Sequence, residues 1–390
     1  MKTRLIGSVL FCLAVLVITG CGQFNKTVSG LGADMVFSAE NTNDGGYIMA
    51  GTTTAPGGDM QTWFIKVDSK GKNTINLQLG GAGADSAYSA QQTADGGYII
   101  TGLTNYKGAG KADVWLIRLD ENGSYLWDRT FGGAENDMGY CVRQTSDGGY
   151  IIAGVTFSKG DPNGDFWLVK TDADGNQLWD KTFGGLDTEY AYSVLQTADG
   201  GYIITGDTYS YGAGGEDVWL VKTDEDGNML WDKTYGGTEF DSPNSIIATK
   251  DGGYIIAGIT FSYGAGGEDA WLIKTDADGN MLWDKTYGGS NDDAISSVKE
   301  TKDGGYIIAG WTTSSGAGGM DMWLIKTDIA GDKLWEKTYG GPNNDIGVAA
   351  LLTTDKGYLL AGTTLSYGDG YGDAWLIKTD ATGKAPAAPK

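Results

Sequence analysis

Acidic residues recur along this sequence in two series, and carboxylates can bind cations or exchange protons. In the first series the members lie 51 or 52 residues apart. A second acidic series lies two residues before a tryptophan in six repeats: Asp113, Asp165, Asp217, Asp269, Asp321 and Asp373. Two interpretations are open: a carboxylate ring that binds a cation or a basic partner, or loop clamps in which each acid accepts hydrogen bonds from its own Gly-rich loop. Carboxylates about 8 Å apart repel by only roughly 0.5 kcal/mol in water, so no metal is required and the clamp is favoured. The binding hypothesis applies to the first series, Asp34, Asp85, Asp137, Glu189, Asp241, Asp293 and Asp345.

A further acidic motif, outside these two series, resembles a calcium-binding loop. Asp172-Ala173-Asp174-Gly175-Asn176 is followed by Asp180, and the motif recurs at 224–228 and 276–280. Its glycine comes two residues earlier than in such loops, and a hairpin turn accounts for the same residues. We therefore predict no cofactor and no metal, with calcium as the alternative.

The composition excludes several kinds of chemistry. The 390 residues include no histidine, so there is no His-activated nucleophile and no His-ligated metal. The formal net charge of −22 opposes binding of nucleic acid and of anionic lipid headgroups, which depends on Lys and Arg. Glycoside hydrolysis by two carboxyl groups stays open, because it needs no histidine.

Residues 1–20 predict a secretion signal. A basic start at residues 1–4 precedes an apolar run from Leu5 to Ile18 that is too short to span a membrane comfortably. The following Thr19-Gly20-Cys21 completes a segment that resembles the lipobox of bacterial lipoproteins. This resemblance implies cleavage before Cys21, lipidation of Cys21, and an extracytoplasmic protein held to the cell membrane or outer membrane only by its N-terminal lipid. An ordinary signal peptide is the alternative.

Seven copies of one unit follow. Asp-Gly-Gly-Tyr, or its variant Asp-Lys-Gly-Tyr in the last copy, begins at Asp44, Asp95, Asp147, Asp199, Asp251, Asp303 and Asp355. A tryptophan follows each motif 19 or 20 residues later. The equal lengths predict a closed or stacked array of identical modules over residues 21–384, with a short tail at 385–390.

Each unit predicts four short antiparallel strands. In the unit around Asp199 these are 178–183, 191–196, 202–205 and 218–223, separated by Gly-, Asp- and Asn-rich turns. Two turns are tight, whereas 184–190 and 209–217 are longer and fall on one face because strand direction alternates. Seven such units predict an all-β, seven-bladed β-propeller.

The repeats resemble those of secreted bacterial and archaeal propeller-repeat lipoproteins. The motifs that carry this resemblance are Asp-Gly-Gly-Tyr-Ile-Ile-Ala-Gly and Trp-Leu-Ile-Lys-Thr-Asp, and the resemblance covers residues 24–384. A looser similarity links them to quinoprotein-type propellers. The resemblance implies the fold but assigns no activity.

The two ends of the chain predict how the ring closes. Residues 24–30 match the last strand of a blade, whereas the C-terminal unit stops one strand short. The N-terminal strand therefore completes the last blade and removes a free sheet edge. This strand begins on the face with the tight turns, so a lipid on Cys21 would turn the long-loop face outward.

Aromatic side chains crowd the long loops, where they can stack on sugars or contact polypeptides. We predict a non-catalytic binding or assembly scaffold, a monomer, whose outward face engages an envelope protein or polysaccharide through many weak contacts. The loops of neighbouring units are near copies, which argues against one asymmetric active site. The alternative is a carbohydrate-active enzyme that uses Asp or Glu. The aromatic binding candidates are Tyr211, Tyr263, Trp311 and Tyr367.

Overall fold

The computed structural model describes residues 22–389, and all regular secondary structure in this range is β-strand. Strand β1 spans Phe24–Val28. Blade 1 is formed by β2 Asp34–Asn41, β3 Tyr47–Thr54, β4 Met60–Val67 and β5 Asn73–Leu79; blade 2 by β6 Asp85–Gln92, β7 Tyr98–Thr104, β8 Asp113–Leu119 and β9 Tyr125–Phe131; and blade 3 by β10 Asp137–Gln144, β11 Tyr150–Thr156, β12 Asp165–Thr171 and β13 Gln177–Phe183.

The remaining blades continue the same order. Blade 4 is formed by β14 Glu189–Gln196, β15 Tyr202–Thr208, β16 Asp217–Thr223 and β17 Met229–Tyr235; blade 5 by β18 Asp241–Ala248, β19 Tyr254–Thr260, β20 Asp269–Thr275 and β21 Met281–Tyr287; blade 6 by β22 Asp293–Glu300, β23 Tyr306–Thr312, β24 Asp321–Thr327 and β25 Lys333–Tyr339; and blade 7 by β26 Asp345–Leu352, β27 Tyr358–Thr364 and β28 Asp373–Lys378. Within residues 22–389, no helix is long and apolar enough to cross a membrane.

The strands form seven four-stranded antiparallel sheets arranged as the blades of a β-propeller, as the repeats predict. The first strand of each blade contacts the first strands of both neighbouring blades, so these seven inner strands surround a central channel. Each inner strand begins on the face that carries the long loops, here called the long-loop face. It ends at the Asp-Gly-Gly-Tyr hairpin on the opposite, tight-turn face.

The second and third strands of every blade form the core. Nearly all of their residues are buried, and their apolar side chains pack between adjacent blades. The repeated tryptophan of the third strand is buried, and its indole Nε1 donates a hydrogen bond to the outer strand. In blade 4 the acceptor is Asp232, which lies 2.9 Å from Trp219 Nε1. This bond recurs in all seven blades, so each outer strand is attached by a side chain as well as by its backbone.

A lysine or arginine three residues after each tryptophan pairs with the Asp of the tight-turn hairpin. Lys222 Nζ lies 3.0 Å from Asp199, and equivalent ion pairs occur in the six other blades. These cations belong to the third strands and are largely buried, whereas the aspartates face solvent.

Strand β1 completes the last blade, which confirms the predicted closure. It pairs antiparallel with β28, with Phe24 opposite Lys378 and Val28 opposite Ala374. Trp375 Nε1 donates to Asn25 Oδ1 at 2.6 Å, the same bond that the other blades make within one repeat. Phe24 lies on the tight-turn face, whereas Cys21 and the predicted signal lie outside the described residues.

Candidate functional site

The first acidic series lies at the start of the inner strands, and the structure buries it. All seven carboxylates are at most 1% exposed, so they do not form an open ring for a partner. Asp137 Oδ2 accepts hydrogen bonds from Gly133 N at 2.9 Å and Ser158 Oγ at 2.6 Å, while Thr156 Oγ1 donates to Oδ1. This is the loop clamp that the sequence favours. The other clamps are at Asp34, Asp85, Glu189, Asp241, Asp293 and Asp345.

The second acidic series forms clamps of the same kind at the long loops between the second and third strands. Asp113 Oδ2, for example, accepts a hydrogen bond from Ala109 N at 3.0 Å. Its other oxygen faces Asp137 of the next blade across Gly132, where a Cβ would lie 2.1 Å from Asp113 Oδ1 and 2.7 Å from Asp137 Oδ2. Burial, and secondarily Asp137, raise the pKa of Asp113. Asp113 therefore packs against the linker to the next blade and retains its proton more readily than an exposed aspartate does.

The predicted aromatic residues lie on the long-loop face, but several hydroxyls are already bonded within the protein. Tyr211 and Tyr263 are exposed, yet each donates a hydrogen bond to a glycine carbonyl, at 2.8 Å. Tyr367 does the same at 2.9 Å and is half-buried, like Trp311. The rings of the three tyrosines pack against the repeated tryptophans. Tyr211 and Tyr263 nevertheless stay partly exposed to solvent.

The calcium-like loop is a hairpin turn held by its first aspartate. Asp172 Oδ1 accepts hydrogen bonds from the backbone N–H groups of Asp174 and Asn176, and Asp172 Oδ2 accepts one from Asn176 Nδ2. Among residues 22–389, no group of three or more Cys, Asp or Glu side chains is placed to hold a metal ion.

The channel, which the sequence did not single out, is where the blades differ most. Half of its circumference is an aromatic wall made of Phe37, Tyr88, Tyr140 and Tyr192, with successive ring centroids 5.4, 5.2 and 5.4 Å apart. The corresponding residues of the other three blades are Asn244, Ser296 and Val348. Phe37 is 39% exposed and Asn244 is exposed, so solvent reaches the channel on both sides.

Two carboxyl groups lie beside the aromatic wall toward the long-loop face. Asp207, in the second strand of blade 4, lies beside Glu216, and it accepts a hydrogen bond from Ser242 Oγ at 3.1 Å. The Tyr209 hydroxyl donates to Glu216, and Tyr192 lies close to Asp207. Burial, and then Glu216, raise the pKa of Asp207 well above its usual range, so Asp207 holds its proton more strongly than an exposed aspartate does.

Charged side chains lie farther along the channel, toward the tight-turn face. Arg143 Nη2 lies 3.2 Å from Glu40 Oε1, and Lys299 faces both residues across a cavity of about 140 Å³. The same strand position is occupied by uncharged residues in the other four blades: Gln91, Leu195, Ile247 and Leu351. The channel therefore combines an aromatic wall, a carboxyl pair and a small basic cluster.

Comparing the inner strands position by position reveals this site. Their first residue is always acidic, whereas their second, fourth and seventh residues change from blade to blade. The structure shows that residues at the fourth and seventh positions line the cavity. Variation at such positions within a repeated unit is the signal that would have located the channel site.

The chain is a seven-bladed β-propeller repeat protein, and the lining of its central channel is asymmetric. No protein-family model matches the sequence. It is similar to the regulatory protein FlaEY of Caulobacter vibrioides, with 26% identity over 273 residues, which are 63% of this chain. The chain spans only 28% of the length of FlaEY.

Solved propellers share the fold at low sequence identity. YCF48 bound to D1 peptide has a TM-score of 0.53 and 10% identity, with 91% of this chain and 95% of YCF48 covered. BBS1N in complex with ARL6DN has a TM-score of 0.51 and 10% identity, with 91% of this chain and 96% of BBS1N covered. At this identity the similarity shows the fold alone.

Proposed function

We propose that this protein is an extracytoplasmic, lipid-anchored propeller that binds a polypeptide without catalysing a reaction. The binding region is the long-loop face around the channel mouth, where the aromatic wall and the Asp207–Glu216 pair meet. Aromatic surfaces next to polar groups suit polypeptide contacts, because they bury apolar area while keeping a hydrogen-bonding edge.

The asymmetry of the channel carries this proposal. Residues 209–237 and 261–289 differ at only four of 29 positions, so the outer parts of these blades present nearly the same surface twice. The channel side chains differ around the ring: three adjacent blades carry tyrosines at a position where the others carry Phe37, Asn244, Ser296 and Val348. A ring held together by identical contacts has no structural need for such variation.

The comparisons support a polypeptide partner only by analogy. YCF48 is known in a complex with a D1 peptide and BBS1N in a complex with ARL6DN. Because these similarities are confined to the fold, they indicate what a propeller of this size is able to do.

The carbohydrate-active alternative requires two carboxyl groups about 5 Å apart or more, on either side of a glycosidic bond. Asp207 and Glu216 interact directly with each other, which is closer than that arrangement. The pair is therefore poorly suited to glycoside hydrolysis.

Capture of an envelope partner by channel variants tests the proposal. The chain from Gly22, immobilised, is expected to retain a protein from the envelope fraction, and Tyr88→Ser with Tyr140→Ser is expected to lose at least about 90% of it. Serine is the residue that blade 6 carries at this position, as Ser296, so the variant fits the fold. Tyr125→Ser removes an exposed tyrosine from an outer strand and serves as the matched control. Equal capture by all three proteins would refute binding at the channel.

The lipid anchor is tested separately. Cys21→Ser in the full chain is expected to abolish incorporation of labelled fatty acid and to release the protein from the membrane fraction. The support for the anchor is the lipobox-like segment together with a first strand that begins on the tight-turn face. Unchanged labelling and fractionation would contradict it.

A further inference from the structure

Lys299 differs from the repeated basic residues of this protein. Each of those pairs with the Asp of its hairpin, as Lys222 pairs with Asp199. Within residues 22–389, the Lys299 ammonium makes neither a hydrogen bond nor an ion pair. At longer range Glu40 attracts it and Arg143 repels it. Burial lowers the pKa of Lys299. A partly buried ammonium without a counterion is costly, so its place in the channel requires a reason beyond folding.

Arg143 lies on the same cavity with donors to spare. Its Nη2 lies 3.2 Å from Glu40 Oε1 and its Nη1 donates to Val142 O at 2.9 Å. A guanidinium has five N–H donors, so these bonds leave several unused. The cavity therefore has one net positive charge, from the two cations Arg143 and Lys299 and the anion Glu40. The formal net charge of the whole chain is −22.

The cavity between these groups also offers hydroxyls and an apolar side. Ser38 Oγ is buried and has no hydrogen-bond partner among the described residues. Ser297 Oγ accepts a bond from Ala350 N at 3.0 Å, which leaves its own hydrogen free to donate. Tyr88 and Tyr140 form the opposite side, and the volume of about 140 Å³ is enough for a small organic molecule.

We propose that this cavity binds the carboxylate of an organic acid, with Lys299 and Arg143 holding the carboxylate and Tyr88 and Tyr140 contacting the apolar body of the acid. A single net positive charge matches a monoanion, and the planar guanidinium suits the two oxygens of a carboxylate. The aromatic wall adds apolar contact that an inorganic anion would not use.

The carboxylate could come from a free organic acid or from the C-terminus of a polypeptide, because both present the same group. The inference does not rest on the polypeptide-binding proposal, since a free acid in the cavity leaves that proposal open. Two pairs of probes separate the sources: phenylacetate with phenylacetamide, and acetyl-Gly-Phe with a free or an amidated C-terminus.

Calorimetric titration of the chain from Gly22 tests the inference, since the ring closes within residues 22–389. Lys299→Gln is the test variant, because blade 2 carries Gln91 at this position. Lys250→Gln is the matched control. Lys250 pairs with Glu300 at 2.8 Å on the exposed tight-turn face, so this change removes the same charge outside the cavity. Thermal melting without ligand confirms that both variants fold.

The expected result is that at least one of the two acids binds and its amide does not. Binding should be at least tenfold weaker in Lys299→Gln and unchanged in Lys250→Gln. Binding of phenylacetate would identify a free acid as a sufficient ligand, whereas binding of the free-acid peptide alone would identify a polypeptide C-terminus. Failure of both acids to bind, or equal binding by Lys299→Gln and the wild type, would overturn the inference.

Discussion

In the second and third strands of the blades the same residues recur at nearly every position, whereas the inner strands share little beyond their first acid and a few small residues. The recurring residues make the contacts that hold each blade and join it to the next: the Trp–Asp bond, the Lys–Asp pair and the loop clamps. The changing residues, Lys299 and Tyr140 among them, line the channel.

The difference separates two kinds of constraint within one repeat. A contact that every blade needs limits its position to one or two residue types, because any other residue weakens the ring at that point. A channel position makes none of these repeated contacts. Its side chain can therefore differ between blades without weakening the joints of the ring.

Removing the closing strand should have the largest effect on the ring. Deletion of residues 22–29 exposes the edge of β28, removes the buried Phe24 ring and leaves Trp375 Nε1 without its acceptor. We expect the free energy of unfolding to fall by about 5 kcal/mol, since burial of a Phe side chain and several hydrogen bonds are lost together. Urea unfolding followed by tryptophan fluorescence measures this. An unchanged midpoint would mean that the ring does not depend on closure.

Adding one methyl group to the second strand of a blade should lower the free energy of unfolding more than changing a residue in the channel. In Gly154→Ala the new Cβ would lie 1.8 Å from Met138 O of the inner strand, so the two strands must separate. We expect a loss of about 3 kcal/mol, compared with about 0.5 kcal/mol or less for Ser296→Ala in the channel. Equal losses in urea unfolding would remove the contrast between the two regions.

The carboxyl pair near the channel mouth should reduce stability at high pH. The pKa of Asp207 is raised in the folded state, so between its ordinary value and that raised value the folded protein holds a proton that the unfolded chain has lost. Stability therefore falls as the pH rises through the raised pKa. Asp207→Val, which introduces the residue of blade 3 at this position, should add about 1 kcal/mol at pH 8 and flatten this slope. A variant less stable than wild type at pH 8 would contradict the raised pKa of Asp207.

The tight-turn ion pairs should show the opposite pH dependence. The Thr197 hydroxyl, followed by Lys222 and the Gly201 N–H, lowers the pKa of Asp199 to about 2. These interactions stabilise the folded protein above about pH 4, and the stabilisation is lost as the pH falls toward 2. Asp199→Asn should cost about 1 kcal/mol at pH 7, because the acid is exposed and screened, and almost nothing at pH 2. Urea midpoints at the two pH values measure it, and an equal loss at both would exclude the ion pair as the cause.

Most of the fold could be predicted from the sequence, because repeated turn and strand residues are direct local signals. Strands predicted at 178–183 and 218–223 are found at Gln177–Phe183 and Asp217–Thr223. The burial of Asp137 and its equivalents was harder to predict. It depends on how closely loops from two blades pack, and a local pattern does not contain that distance.

The channel site escaped prediction for a geometric reason. Each inner strand carries a β-bulge after its third residue, as between Gly139 and Cys141. The bulge shifts the alternation of side chains, so the seventh residue, Arg143 or Lys299, faces the channel instead of the core. Simple alternation along an unbroken strand would have assigned these residues to the opposite side.

The pairing of β1 with β28 also sets a time course for folding. Asn25 and Trp375 are separated by 350 residues, so β1 leaves the ribosome long before its partner strand exists. At typical synthesis rates this interval is roughly 20–70 s. During that time each completed blade can fold on its predecessor, but β1 stays unpaired and the ring cannot close. Synthesis of β28 is therefore the step that allows a growing stack of blades to close into a ring.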